Sequence, residues 1–258
     1  MALINMAVYD TVENGRTDYT RQTLENLQKR VDFSKHRLVV IDNDSCKATK
    51  QLLSHMQTRM GFILITNQQN VGTAKAINQG LALRNVGENA IKMDNDVVVH
   101  SDGWVDLMEE AIAREPKIGI IGLKRRDLDE SPHRTDWAQS KLHMIPQEKG
   151  QRWIVVEKCR HIMGTCTMFS SALIDKIGGL YQLDGVYGFD DSLYSVRSSI
   201  AGFWNVFLCG VDLDHIDTGG DDYTQWKVRY ATEFMPKYTQ AIQDYRDGVK
   251  DIFHKIKQ

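Results

Sequence analysis

Cysteine, proline and long apolar runs are scarce in this sequence, and each scarcity excludes a class of protein. Only four cysteines occur among 258 residues, without Cys-x-x-Cys spacing, so we expect reduced thiols in a cytoplasmic protein. Four prolines and no low-complexity tract argue against a long linker. No apolar run approaches the ~18 residues of a membrane span, and the first residues lack a signal-peptide pattern. We therefore expect no integral membrane segment, with peripheral attachment to a membrane left open.

A strong net charge is also absent, because 32 basic and 34 acidic residues give a formal charge of −2. This balance argues against a protein that coats nucleic acid nonspecifically, although a basic patch such as Lys124-Arg125-Arg126 remains. The length is sufficient for one large α/β domain with a sizeable core.

The first half of the chain alternates short apolar runs with segments of helical periodicity, and this pattern predicts βαβ units. The expected strands are Leu3–Tyr9, Arg37–Ile41, Phe62–Ile65 and Ala90–Met93, and the expected helices are Thr20–Val31, Lys47–Met60 and Thr73–Leu83. Alternation at this spacing indicates an α/β fold with a parallel sheet and helices on both faces.

The second half alternates less regularly, so we expect a mixed sheet that stays mostly parallel overall. The expected helices are Trp104–Arg114, Ser171–Ile177, Ser192–Ala201 and most of Trp226–Lys257, and the expected strands are Ile118–Gly122, Trp153–Val156, Met163–Phe169 and Phe203–Leu208. The polar stretch Leu123–Gln151 is predicted to be irregular.

Polar residues follow the predicted strands at the points where ligands bind in open α/β sheets. These strand ends carry Tyr9-Asp10, Asp42-Asn43-Asp44, Thr66-Asn67 and Asp94-Asn95-Asp96. An Asp-x-Asp at such an edge can hold a divalent cation that is shared with substrate phosphates. The tripeptide alone proves nothing, because Asp and Asn are common turn residues and three further Asp-x-Asp tripeptides occur in the chain.

Four motifs in a fixed order carry a resemblance to a known family. They are Asp42-Asn43-Asp44-Ser45, the stretch from Asn70 to Gly80, Asp94-Asn95-Asp96, and Gly188-Phe189-Asp190-Asp191. In this order and spacing, roughly residues 3 to 216 resemble the family 2 glycosyltransferases, which have the GT-A (Rossmann-like) fold. The resemblance implies a single domain over residues 1–225, with a nucleotide-sugar half (1–99) and an acceptor and catalytic half (100–225), followed by a helical extension (226–258).

The resemblance assigns the donor site residue by residue. Tyr9 would lie against the nucleotide base, and Asp42 would hydrogen-bond to it. The pocket and its phosphate contacts would involve Asp10, Asn70, Gly72, Lys75 and Asn95. Asp94 and Asp96 would meet the ribose and the metal, Mn2+ or Mg2+, and His215 resembles the late histidine that completes the metal site in some members.

The catalytic residues implied by the resemblance are Asp191 as general base, with Asp190 where the family usually has Glu. The two adjacent carboxylates could alternatively divide roles, one of them binding the acceptor. Loss of the acceptor proton to a carboxylate opposite the leaving diphosphate would give a single displacement that inverts the anomeric centre. The expected donor is a nucleotide diphosphate sugar, with uridine diphosphate (UDP) favoured as the carrier.

The acceptor hydroxyl is left open among a glycan, a lipid-linked glycan, a protein and a hydroxylated base in DNA. Three other classes fit parts of the sequence. Asp42-Asn43-Asp44 resembles the Asp-x-Asp of haloacid dehalogenase-like phosphatases, but a convincing downstream set is missing. Nucleotidyltransferases would open with a Gly-rich loop after the first strand, which Leu3–Asp10 lacks. A non-catalytic module that binds sugar nucleotides or glycans is the third alternative.

Overall fold

The computed structural model describes residues 1–126, 141–147, 150–217 and 221–256. In these residues ten strands form one sheet, and seven helices cover it. The strands are β1 Ala2–Val8, β2 Arg37–Asp42, β3 Ile63–Thr66, β4 Asn89–Met93, β5 Val97–Val99, β6 Ile118–Arg125, β7 Lys141–Ile145, β8 Ile154–Cys159, β9 Cys166–Phe169 and β10 Trp204–His215. The helices are α1 Thr17–Arg30, α2 Lys47–Met60, α3 Thr73–Leu81, α4 Trp104–Arg114, α5 Ser171–Ile177, α6 Asp190–Ile200 and α7 Asp221–Arg246.

The sheet has the order β3-β2-β1-β4-β9-β6-β10-β8-β7, and β5 pairs separately with β10. Strands β3, β2, β1 and β4 are parallel neighbours, as the βαβ pattern predicts. Strand β9 is antiparallel to both β4 and β6 and joins the two halves of the chain into one sheet. The predicted mixed α/β sheet is confirmed, and the carboxyl ends of β1, β2 and β4 lie side by side at one edge.

Helices cover both faces of the sheet because each strand alternates its apolar side chains between them. On one face Ile4 and Met6 pack with Leu24 and Leu27 of α1, all four fully buried. On the other face Leu3 and residues of β2 pack against α3. Each side chain buried this deeply contributes about 1.5–3 kcal/mol to the free energy of unfolding.

Strand β7 lies within the segment that was expected to be irregular, and that expectation is wrong for Lys141–Ile145. Its apolar residues do not mark a buried face, since Leu142 is 74% exposed and Met144 is 55% exposed while only Ile145 is fully buried. Strand β6 also runs beyond the predicted end at Gly122, as far as Arg125. The rest of the predicted irregular stretch includes 127–140 and 148–149, which lie outside the described residues.

Strand β10 is longer than predicted and reaches His215 instead of ending at Leu208. The register with β6 shifts between Leu208 and Asp212, and Gly210 has a φ of +80° in this irregularity. The extension pairs antiparallel with β5, which places His215 opposite Val97. Sequence periodicity could not show this continuation because the bulge breaks the alternation.

Helix α6 begins at Asp190, two residues earlier than predicted, and includes both acidic residues, while β9 begins at Cys166 instead of Met163. The final helix spans Asp221–Arg246, so it covers most of the predicted helical segment and also begins before it. No helix of the described ranges is long and apolar enough to cross a membrane.

The segment after α7 folds back on the domain, and a buried arginine holds it. Arg197 is fully buried and donates hydrogen bonds to the carbonyl oxygens of Ile177, Gly179 (2.8 Å) and Ile252 (2.7 Å). His254 forms a single parallel bridge with Gly178. The C-terminal segment is therefore anchored beside α5 and α6.

Candidate active site

The loop after β1 is joined to the loop after β4 by a buried hydrogen-bond network. Asn95 Nδ2 donates to Asp10 Oδ1 at 2.8 Å, and Thr20 Oγ1 donates to Asp10 Oδ2 at 2.6 Å. Asp10 is fully buried, and this burial raises the pKa of its carboxyl group although its hydrogen bonds oppose the shift. Asp10 and Asn95, both predicted to line the nucleotide-sugar site, are thus hydrogen-bonded to each other.

Asp42 ends β2 beside this network and is 1% exposed. Its Oδ1 accepts the backbone N–H of Ser45 at 2.8 Å, which shapes the turn into α2. Tyr9, which follows the neighbouring strand β1, is 43% exposed at the same edge. The two residues predicted to bind the nucleotide base, Tyr9 and Asp42, therefore lie at the carboxyl ends of adjacent strands. Tyr9 is partly exposed, and the carboxylate of Asp42 is held in the turn.

The loop before α3 is shaped by amide side chains. Asn70 Oδ1 accepts from Asn43 Nδ2 at 2.8 Å and from the backbone N–H of Gly72 at 2.9 Å. Gly72 has a φ of +93°, and a Cβ placed there would lie 2.7 Å from Gln182 Oε1. The positive φ favours glycine here, and a larger residue would also displace the end of the Gln182 side chain. Lys75, in the first turn of α3, is exposed.

Asp96 is the centre of a compact charged cluster. Its Oδ2 contacts Arg16 Nη2 and lies 3.2 Å from His215 Nε2, and Arg16 Nη1 lies 2.8 Å from Asp217 Oδ2. The β5–β10 pairing brings this cluster together, because it places His215 opposite Val97. The predicted metal ligands Asp96 and His215 are thus neighbours, and Arg16, which was not predicted from the sequence, contacts Asp96.

Asp94 and Asp96 differ in accessibility, since the side chain of Asp94 is 37% exposed and that of Asp96 is 3% exposed. Burial and the nearby Asp94 raise the pKa of Asp96, while His215 and Arg16 oppose the shift. Asp96 Oδ1 is buried without a hydrogen-bond partner among the described residues. A carboxylate oxygen in that state requires a cation or donor.

These residues fit a divalent cation in kind, because carboxylate oxygen and imidazole nitrogen are suitable ligands for Mn2+. Within the described ranges, however, no three His, Cys, Asp or Glu side chains converge closely enough to hold a metal ion. The joint role of Asp94, Asp96 and His215 as ligands stays a prediction.

A buried lysine connects Asp94 to the acidic pair of α6. Lys92 Nζ lies 3.1 Å from Asp94 Oδ1 and 3.9 Å from Asp190 Oδ2, and it donates to the carbonyl oxygen of Gly164 at 2.7 Å. Burial would lower the pKa of the Lys92 ammonium, but Asp94, Asp190 and Asp191 outweigh it and raise that pKa. Burial raises the pKa of Asp190 to about 6, against the opposing effect of Lys92.

Asp191 is the more accessible member of the acidic pair, with a side chain 27% exposed against 11% for Asp190. Its Oδ2 accepts the N–H of Gly164 at 2.9 Å, and its Oδ1 accepts the N–H of Ser192 at 2.7 Å. His161 Nε2 lies 3.7 Å from the same Oδ2. Both carboxylates lie in the first turn of α6, where the helix dipole favours negative charge.

Three charged or titratable residues of this region were not predicted from the sequence: Arg16, Lys92 and His161. Lys92 carried a readable signal, because a lysine in an otherwise apolar strand directly before Asp94 must be buried with a counter-charge. Arg16 and His161 lie in loops, where nothing in the local pattern indicates their partners.

The chain belongs to glycosyl transferase family 2, whose pattern matches residues 11–178. An uncharacterized protein of Sinorhizobium fredii, y4gI, is 21% identical over 227 residues, which are 83% of this chain and 25% of that protein. The chain thus spans about a quarter of the length of this curated relative.

Among the solved structures that share the fold are a mannosyltransferase and GalNAc-T7. The mannosyltransferase PcManGT of Pyrobaculum calidifontis, in complex with GDP-Man and Mn2+, has a TM-score of 0.68 and 17% identity over 94% of this chain and 64% of its own. GalNAc-T7 with UDP, GalNAc and Mn2+ has a TM-score of 0.60 and 12% identity over 83% of this chain and 43% of its own. These similarities confirm the GT-A fold that the motifs predicted.

Proposed function

We propose that this chain is a metal-dependent, inverting glycosyltransferase that moves a sugar from a nucleotide diphosphate to a hydroxyl acceptor. The observation that carries the proposal is the ion-pair bridge through Lys92, which lies 3.1 Å from Asp94 and 3.9 Å from Asp190. Through it, the predicted donor motif lies next to Asp190 and Asp191, the predicted catalytic carboxylates. A displacement between bound donor and acceptor requires this proximity.

In this proposal Asp96, Asp94 and His215 hold Mn2+ or Mg2+. When bound, the cation offsets the negative charge that develops on the leaving diphosphate. Tyr9 and Asp42 bind and orient the base of the donor, at the carboxyl ends of β1 and β2. The loop at Asn70 and Gly72 forms the wall of the same pocket, and Lys75 is exposed to solvent at its rim.

Asp191 removes the proton from the acceptor hydroxyl in this proposal, and Asp190 supports it. Asp191 is favoured because its carboxylate is the more exposed of the two, so that an acceptor can reach it. The acceptor oxygen bonds to the anomeric carbon as the bond to the diphosphate breaks, and the leaving diphosphate takes the electron pair. A base of this kind contributes roughly 10²–10⁴-fold to the rate.

The proposal extends to the carrier nucleotide and to the acceptor. UDP is favoured by family resemblance, while the structural neighbours hold GDP-Man in one case and UDP in the other. A glycan or lipid-linked glycan is favoured over a DNA base. A DNA acceptor would need basic side chains for its phosphates. In the basic patch, however, Lys124 pairs with Glu157 at 2.8 Å and Arg126 pairs with Asp214 at 3.7 Å.

The test is a thermal-shift panel of uridine, guanosine and thymidine diphosphates, each with and without Mn2+, on wild type and Asp96→Ala. A ligand at ~100 times its dissociation constant adds about 2.7 kcal/mol to the free energy of unfolding. At ~2–4 °C per kcal/mol for a chain of this size, the midpoint rises by roughly 5–10 °C.

The expected result is a metal-dependent shift with one nucleotide that is lost in Asp96→Ala. The matched control is Asp18→Ala, which removes an exposed carboxylate paired with Arg21 and leaves the shift intact. No shift with any nucleotide would contradict the proposal and direct the next assay to phosphate release. Donor binding without transfer to any acceptor would favour the non-catalytic module.

A further inference from the structure

Arg16 and its partner Asp217 are the residues of the charged cluster that the proposed function does not use, and Arg16 is the one that contacts Asp96. It precedes α1, and its side chain is only 13% exposed. Its two terminal nitrogens reach different carboxylates, Nη2 to Asp96 and Nη1 to Asp217 at 2.8 Å. The guanidinium is charged at every physiological pH, so it supplies a permanent cation to two buried acids.

His215 is oriented towards the same carboxylate as Arg16. His215 Nδ1 lies 2.9 Å from the carbonyl oxygen of Asp217, which can only accept, so Nδ1 carries a proton. The other ring nitrogen, Nε2, lies 3.2 Å from Asp96 Oδ2. A histidine whose Nδ1–H is held by a backbone carbonyl presents Nε2 as the nitrogen that can bind a metal, and Asp96 Oδ2 lies beside it.

The same oxygen of Asp96, Oδ2, contacts Arg16 Nη2 and lies 3.2 Å from His215 Nε2. Arg16 and a metal ion held by His215 would therefore compete for this oxygen. A metal ion bound by Asp96 Oδ2 and His215 Nε2 would lie close to the guanidinium of Arg16. Because both are positively charged, they would repel each other strongly at that distance.

We propose that Arg16 is a tethered cation that occupies the Asp96–His215 position in the metal-free protein and leaves Asp96 when a divalent cation binds. This inference rests on the proposed metal-dependent function. Asp217 stays the partner of Arg16 Nη1, so the guanidinium pivots on that ion pair and does not enter solvent. Arg16 thus lowers the affinity of the site for metal while it keeps two buried carboxylates paired without metal.

The test is a titration of Mn2+ followed by electron paramagnetic resonance, which counts free Mn2+ and needs no substrate. Arg16→Gln removes the competing charge and keeps a polar, shorter side chain. We expect it to bind Mn2+ at least about tenfold more tightly than wild type, because a full charge a few ångströms away opposes binding strongly at an effective dielectric of ~20.

Two controls frame this result. Arg16→Lys keeps the charge and should bind Mn2+ much closer to wild type than Arg16→Gln does. Arg21→Gln, on the exposed side of α1 with Asp18 as its partner, should not change Mn2+ binding. Unchanged or weaker Mn2+ binding in a folded Arg16→Gln would overturn the proposal.

A second measurement on the wild-type protein covers the case in which Arg16→Gln does not fold. Assigned arginine side-chain NMR signals are recorded with and without Mg2+. The Arg16 signal should move as the site saturates while the Arg21 signal stays fixed, and a fixed Arg16 signal at saturation would overturn the proposal. If wild type binds neither ion, the proposed metal-dependent function fails as well, whereas normal binding with an immobile Arg16 contradicts only the inference about Arg16.

Discussion

Replacing Lys92 by methionine removes the cation that links the two acidic motifs. Lys92 is 4% exposed and has contacts with Asp94 at 3.1 Å, Asp190 at 3.9 Å and the carbonyl oxygen of Gly164 at 2.7 Å. The methionine side chain matches the lysine stem in volume, so packing is largely kept. The change therefore isolates the loss of charge at a buried site.

The expected cost follows from the burial of the partners. Removing one member of a buried ion pair typically costs 3–5 kcal/mol, because the remaining charge is uncompensated. Asp94 is 37% exposed and can be solvated, so we expect the lower end, about 3 kcal/mol. At ~2–4 °C per kcal/mol, the unfolding midpoint should fall by roughly 6–12 °C.

Thermal and urea unfolding at pH 7 measure this effect, with Lys75→Met as the control because Lys75 is exposed on α3. The control should stay within about 0.5 kcal/mol of wild type. The double variant Lys92→Met/Asp190→Asn should recover part of the loss, since it also removes a carboxylate that Lys92 had compensated. A Lys92→Met protein as stable as wild type would refute the bridge as an energetic link.

Three further predictions concern the carboxylates Asp190 and Asp191 and the contact of Gly178 with the C-terminal segment. Asp191→Asn should keep nucleotide binding in the thermal-shift assay and lose transfer by roughly 10²–10⁴-fold in a turnover assay; retained turnover would move the base to Asp190 or elsewhere. The pKa of Asp190 is about 6 in the folded protein and ~3.9 in the unfolded chain. The protonated carboxyl group therefore contributes to the free energy of unfolding fully below pH ~4, and this contribution is lost as the pH rises through 6. Asp190→Asn should therefore flatten the dependence of unfolding free energy on pH between 4 and 6, and an unchanged curve would contradict the shift. Gly178→Ala places a Cβ 1.8 Å from the carbonyl oxygen of His254 at a φ of +73°, so urea unfolding should show a loss of more than about 2 kcal/mol; wild-type stability would disprove this contact.

The parallel half of the fold could be predicted because its determinants are local. Each strand from β1 to β4 is an apolar run bounded by polar or glycine residues, and each helix between them has one apolar face. The strand-end positions of Asp42 and Asp94 follow directly from this alternation. Strand β7 could not be found in the same way, because Leu142 and Met144 are apolar but exposed.

The contacts of the candidate site could be predicted only in part, because they join residues far apart in the chain. Asp96 meets Arg16 and His215, and Lys92 meets Asp190, only after β10 and α6 have packed beside β4 and β5. Motif order pointed to Asp96 and His215 through family resemblance. Arg16 belongs to no motif that was recognised, and its role depends on partners that the local sequence does not reveal.

We propose that the carboxyl ends of β1, β2 and β4 bind a nucleotide diphosphate together with a divalent cation. The most direct measurement is anomalous X-ray scattering from crystals grown with Mn2+ and the nucleotide that gives the largest thermal shift. We expect one strong manganese peak within coordinating distance of Asp96, with the base of the nucleotide beside Tyr9 and Asp42. A nucleotide bound elsewhere, or bound at this edge with no manganese at Asp96, would contradict it.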